Sequence, residues 1–236
     1  MLEAIDQCER LLADGLSDRQ VEGKVLCTQA QLKAMNGELQ AARALYRRGR
    51  AMLRELGQGV LAASTGIDVA LVELLGGDLT LAEREVRVDF EFLSKAGETY
   101  YLSTVAALLS RLVRDQGRDA EALELSKIAE SATAADDTDS QAMWRAGRAP
   151  IVARTGDLAH AEELARSAVE LVRQTEAPLF HADALAELAS VLHIAGKTEA
   201  ALSTITEAIG LYSAKGNAVS AAQFSAWATA LGQRSQ

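Results

Sequence analysis

Gly196, Lys197 and Thr198 form the triplet that closes a phosphate-binding loop. In such a loop backbone N–H groups wrap the phosphates, the lysine reaches them and the hydroxyl holds a metal ion. The loop also needs a glycine five residues before the Gly-Lys pair and a β-strand leading into it. Val191 stands at that position, and the preceding "ALAELASVLHI" has the apolar spacing of a helix. The triplet therefore reads as a helix-to-helix turn with a solvated lysine. His160, His181 and His193 fall in separate helical segments, no His/Cys cluster has metal-ligand spacing, and no Gly-x-Ser-x-Gly elbow occurs. The carboxylate pairs Glu162/Glu163 and Asp136/Asp137 read as a helix surface and an acidic turn. Cys8 and Cys27 are too few for a disulfide framework and read as small buried hydrophobes. No catalytic residue, cofactor site or metal site is expected, and the chain does not read as an enzyme.

A different chemistry is carried by arginine. Arg111, Arg114, Arg145, Arg148 and Arg154 lie in two helical segments with one more between them, with Trp144 in the later one and Tyr100 and Tyr101 opening the earlier. Arginine grips carboxylates through two parallel hydrogen bonds, and tryptophan adds anchoring area, so this group suits a peptide carboxylate or an acidic segment. The alternative is that the arginines pair within the chain, with Asp115, Glu121 or Asp139, and that Trp144 belongs to the core. Leu71 and Leu75 offer an apolar counterpart upstream, either as groove or as packing.

The elements that hold these residues follow from composition and period. The chain has 236 residues, 49% hydrophobic, only 4% aromatic and with 2 prolines, so its core is built from Ala and Leu and its class is all-α. A net charge of -9 works against a phosphate-backbone partner, which excludes nucleic acid as an expectation. No apolar run is long enough to span a bilayer, and "MLEAIDQCERLLADG" lacks the basic and apolar regions of an export signal, so the chain reads as cytoplasmic.

Aligning "AMNGELQAA", "LLGGDLTLA", "RDQGRDAEA", "ARTGDLAHA" and "HIAGKTEAA" sets Gly37, Gly77, Gly117, Gly156 and Gly196 in register, 40, 40, 39 and 40 residues apart. Five residues after each comes Ala42, Ala82, Ala122, Ala161 or Ala201, and seven before each comes Ala30, Ala70, Ser110, Ala149 or Ala189. A second break follows twenty residues on, at Gly57, Gly97, Asp137, Glu176 and Gly216. The pattern predicts a helical hairpin repeated five times. The glycine supplies the left-handed turn, Asp78 or Asp157 starts the next helix, and the small residues let paired helices approach closely. The expected boundaries are a half repeat over 1–15, hairpins over 18–57, 59–97, 99–136, 138–176 and 178–216, a closing helix over 217–231 and a tail over 232–236, forming one domain over 1–232. Pro150 is expected to kink or break the first helix of the fourth hairpin.

A small residue, then an aliphatic, then glycine, then alanine five further on resembles the tetratricopeptide repeat around its turn. The period departs from that family's usual 34, and HEAT and armadillo repeats, with periods of about 40 to 47, are the structural runner-up. The tetratricopeptide resemblance implies an α-solenoid winding as a right-handed superhelix, with the first helix of each hairpin lining a concave, protein-binding groove. Carried over position by position, that groove would include Leu71 and Leu75 in the second hairpin, Arg111 and Arg114 in the third and Arg154 in the fourth. Trp144, Arg145 and Arg148 lie near it. The stretch from Gln141 to Asn217 is similar to the C-terminal repeat region of bacterial signalling proteins in which a class III adenylate or guanylate cyclase and a STAND or AAA-like ATPase precede the repeats, and to maltose-regulator-like and LuxR-like transcription factors. That resemblance implies a regulatory module binding a protein, a peptide or its own upstream domain, with small-molecule sensing as an alternative. By repeat phase, Leu2–Ala13 is a second helix without its first. Ile5, Leu11 and Leu12 would then continue into an upstream segment or pair with another copy as a homodimer.

Overall fold

The computed structural model describes Gln7, Arg10 and residues 18–233. The expected half repeat, apart from those two residues, and the end of the tail lie outside the described residues. Those described carry twelve α-helices: α1 (Arg19–Met35), α2 (Leu39–Glu55), α3 (Gly59–Ser64), α4 (Gly66–Leu75), α5 (Leu79–Ala96), α6 (Tyr100–Asp115), α7 (Asp119–Ala132), α8 (Thr138–Arg154), α9 (Leu158–Arg173), α10 (Pro178–Ile194), α11 (Thr198–Ala214) and α12 (Ala218–Gln233). No strand occurs among the described residues.

The turns fall where the glycines stand. Among the described residues, the glycines with positive φ are turn glycines of the repeat, Gly37, Gly57, Gly77, Gly97, Gly117, Gly156, Gly196 and Gly216, a conformation that an L side chain strains to adopt. After the turn, a short acceptor starts the next helix: Asp78 Oδ1 takes the Leu81 N–H at 3.0 Å and Asp157 Oδ1 takes the His160 N–H at 3.2 Å. The small residues on either side are sealed inside. Ala42, Ala82, Ala122, Ala161 and Ala201 are fully buried, as are Ala30, Ala70, Ala149 and Ala189, with Ser110 exposed by only 1%. Helix pairs approach through these positions because nothing bulkier than a methyl or, at Ser110, a hydroxymethyl group separates them.

By packing, the chain falls into two compact units, one up to Val105 and one from Ala106, with the division inside α6. In the first, α1 pairs with α2 and α4 with α5, and Ala30, Ala34, Ala42, Tyr46, Val69 and Val72 form a core flanked by Leu39, Leu45 and Leu75. In the second, α7 to α12 pack each on the next, and α8 also packs on α10, the first helix of the following hairpin.

Two local features depart from a plain repeat. The first helix of the second hairpin is divided at Thr65, where the Thr65 hydroxyl donates to the Ala62 carbonyl at 2.7 Å and the Ser64 hydroxyl to Leu61 at 2.8 Å. Such back-bonding competes with the helical ladder. The buried Asp89 carboxylate lies against Gly66 just beyond, closer than a Cβ there would allow. Pro150, in contrast, neither divides nor ends its helix: Thr138–Arg154 runs unbroken, which corrects the expected break. One missing N–H is a local loss, and α8 packs against α7, α9 and α10.

Candidate functional site

Gly196 sits with φ 74° in the turn between α10 and α11, both helices, so the strand a phosphate loop requires is absent there. Lys197 points to solvent and pairs with Glu162 of α9 at 2.6 Å. Hydrogen bonds from Lys197 and Arg166 hold the Glu162 carboxyl below its usual range. Among the described residues no group of His, Cys, Asp and Glu is placed to hold a metal ion, and no helix is long and apolar enough to cross a membrane. Cys27 is buried, and burial, reinforced by Asp68, pushes its thiol up to about 12, so it is a packing residue rather than a nucleophile.

The second unit brings most of the arginines into contact with carboxylates of the same chain. Arg114 of α6 crosses α8 to reach Glu187 of α10, with its two terminal nitrogens 2.9 and 2.8 Å from the two carboxylate oxygens. On the way it donates to the Gly147 carbonyl at 3.1 Å, and its Nε bonds Asp115 at 2.8 Å. Arg111, one turn earlier, lies 3.3 Å from Glu187 and 3.7 Å from Asp183. Asp183 in turn accepts from the Tyr212 hydroxyl at 2.5 Å, and the Tyr212 ring stacks on Phe224. Burial disfavours the charge on both arginines, but for Arg111 Asp183 and Glu187, and for Arg114 Glu187 and Asp115, overcome it and raise the guanidinium pKa. The phenol of Tyr212 is pushed up by burial and by Asp183. The result is an ionic strap linking the first helices of the third and fifth hairpins over the fourth.

Around Trp144 the arrangement differs. Gln141 accepts from Trp144 Nε1 at 3.2 Å and from Arg145 Nη1 at 2.5 Å, and its own amide donates to the Ala134 carbonyl at 3.0 Å. The Arg145 and Arg148 guanidinium carbons lie 4.1 and 4.4 Å from the Trp144 ring centroid, within cation–π range. Arg148 is anchored on α7, to the Ser126 hydroxyl at 2.7 Å, the Ser126 carbonyl at 3.0 Å and Glu130 at 2.7 Å. Arg145 bonds only Gln141, its side chain and its backbone carbonyl, and has no carboxylate partner among the described residues. Burial lowers its pKa; Glu130 opposes that and Arg148 adds to it. Arg154 forms an exposed two-pronged pair with Asp119 of α7, at 2.8 and 2.7 Å.

Leu71 and Leu75 belong to the first unit, on α4. Leu75 packs against the alanine-rich core and Leu71 is half-buried. That unit also buries two charged clusters that spacing does not suggest. Glu73 accepts from Arg43 Nε at 3.0 Å and from the Tyr46 hydroxyl at 2.8 Å, and Arg50 pairs with Asp89 beside the helix division. The residues that sequence reasoning missed in the second unit are Glu187, Asp183 as an ion-pair partner, and Gln141. A hint existed for the first two: Asp183 and Glu187 are four apart on one face of a largely apolar helix, where buried carboxylates call for partners.

Hairpins of about 40 residues, packed in consecutive pairs around a small-residue ladder, define a tetratricopeptide-like helical-repeat fold. Solved structures share it. The crystal structure of BtubC (BKLC) from P. vanneervenii is 15% identical, with a TM-score of 0.62 over 90% of this chain and 88% of that one. The putative kinesin light chain of Podosopora anserina, with nearly identical TPR-like repeats, is 14% identical with a TM-score of 0.54 over 85% of this chain and 99% of that one, and a single-substitution variant of it gives 0.55. At these identities the likeness concerns the fold. No protein-family model and no curated protein matches the chain.

Proposed function

We propose that the chain is a non-catalytic scaffold for protein–protein interaction, acting in the cytoplasm as the regulatory segment of a larger bacterial signalling protein. Its partner is a protein or peptide segment of acidic character, in trans or from an upstream domain. The observation that carries this reading is Arg145 on α8, a first helix, which lies over Trp144 with no carboxylate partner among the described residues, while Arg111, Arg114, Arg148 and Arg154 are paired within the chain, whose net charge is -9. Repeat folds of this kind present extended binding surfaces, and an arginine held on a buried tryptophan supplies charge pairing there. The similarity to cyclase-associated and LuxR-like repeat regions supports the signalling context.

Titration calorimetry of the purified chain with a hexaglutamate peptide, and with hexaglutamine as the uncharged match, tests the reading. Binding of the first alone, weakening as salt rises, is the expected result. Equal indifference to both peptides would remove the acidic partner from the account.

A further inference from the structure

Arg145 is the arginine of this group that the chain leaves without a carboxylate. Arg111 and Arg114 are closed into the strap by Asp183 and Glu187, Arg148 is neutralised by Glu130, and Arg154 is paired with Asp119. Three restraints nevertheless fix the Arg145 guanidinium in place. Its central carbon lies over the Trp144 ring, its Nη1 is held by the Gln141 side chain and carbonyl, and Gln141 is itself tied to Ala134. The indole is backed by Arg148, which α7 holds through Ser126 and Glu130. What remains is one guanidinium edge, Nε and Nη2, that makes no hydrogen bond among the described residues.

We propose that Arg145 is the receptor for a single carboxylate of an acidic protein segment, gripped by the Nε–Nη2 edge while the guanidinium stays over the Trp144 ring. A planar fork matches a carboxylate with two parallel bonds, and its orientation is already fixed before the ligand arrives, so little freedom is lost on binding. Local charge selects the ligand. Two guanidiniums, Arg145 and Arg148, and one carboxylate, Glu130, leave one positive charge at the stack, the complement of a carboxylate rather than of a doubly charged phosphate. This assignment rests on the reading of the chain as a protein-binding scaffold and narrows it to one residue and one ligand chemistry.

The test uses the full chain carrying Trp227→Phe, so that Trp144 is the sole tryptophan reporter. Hexaglutamate, hexaglutamine and inorganic phosphate are titrated while Trp144 fluorescence and the Arg145 Nε–Hε resonance are followed. Hexaglutamate is expected to move both signals, and hexaglutamine neither. Arg145→Gln should weaken hexaglutamate binding about tenfold, the size of one charge-assisted contact. Arg145→Lys, which keeps the charge but loses the fork, should fall between. Arg173→Gln, an equal loss of charge on α9, should leave affinity within about twofold. Unchanged affinity in Arg145→Gln, with the helical circular dichroism intact, overturns the assignment and leaves the scaffold reading standing. Phosphate binding tighter than hexaglutamate overturns the carboxylate, and binding of no peptide by any of these chains overturns this assignment together with the acidic partner.

Discussion

Ser110 donates its hydroxyl to the backbone carbonyl of Ala122 at 2.7 Å, joining the two helices of the third hairpin at the point where the repeat places its small residues. Both residues are buried, Ala122 completely. A side chain larger than methyl at position 122 would have to displace α6 from α7.

Ala122→Leu should therefore destabilise the fold by about 1–3 kcal/mol through overpacking, and Ala122→Arg by more, because a charge is buried as well. Urea titration followed by circular dichroism measures both. An unchanged midpoint for Ala122→Leu would mean that the hairpin is not closely packed there.

The glycines inside helices divide into two kinds. A Cβ at Gly147 would meet nothing within 4 Å, whereas one at Gly49 would stand 2.6 Å from the Gly23 carbonyl oxygen and 2.9 Å from the Cys27 sulfur. Gly147→Ala should raise stability by about 0.5–1 kcal/mol, the helix-interior difference between the two residues, and Gly49→Ala should lower it. Thermal midpoints shifting in the same direction would contradict the assigned close approach.

Burial raises the Asp68 carboxyl to about 6, with Lys24 opposing. Its folded pKa thus lies above the unfolded value of 3.8, so the folded state holds the proton more tightly. The associated stability is fully present below pH ~4 and is lost as pH rises through about 6. Between pH 4 and pH 8 the wild-type urea midpoint should fall further than that of Asp68→Asn, which does not titrate. Parallel pH profiles would show that Asp68 is not desolvated.

Glu187→Ala leaves Arg114 with Asp115 as its one carboxylate and Arg111 with the more distant Asp183, both arginines being on α6. Breaking a buried pair from one side costs roughly 3–5 kcal/mol, while replacing both partners by apolar groups of similar size is far milder. Glu187→Ala should be strongly destabilising, and the double change Arg114→Met with Glu187→Leu should recover most of the loss. A double variant as weak as the single one would indicate that the strap is not an isolated pair.

The hairpins were legible in the sequence because each turn depends on one residue type at one spacing. Gly37, Gly77, Gly117, Gly156 and Gly196 all carry positive φ, and the alanines five residues later are all buried. What spacing could not show depends on contacts between distant segments. Arg114 was open to pairing with Asp115, and does pair with it, but its main partner Glu187 lies 73 residues away. Pro150 read as a breaker because its local effect is visible in sequence, whereas the packing of α7, α9 and α10 around it is not. Trp144 is 5% exposed, so the core alternative describes its ring, while Arg145 beside it keeps an unengaged edge. Leu75, partly buried, packs against the first unit's core.

An array in which every hairpin touches only its neighbours melts by fraying, one module at a time from an end. The strap from Arg114 to Glu187 reaches past the nearest neighbour, and Tyr212 extends it into α11. Hairpins three to five are thereby joined into one cooperative block: deleting the last of them removes the counter-charges that the third needs. Truncation at the turn before α10 should consequently loosen α6, two hairpins away, instead of trimming one module cleanly from the end.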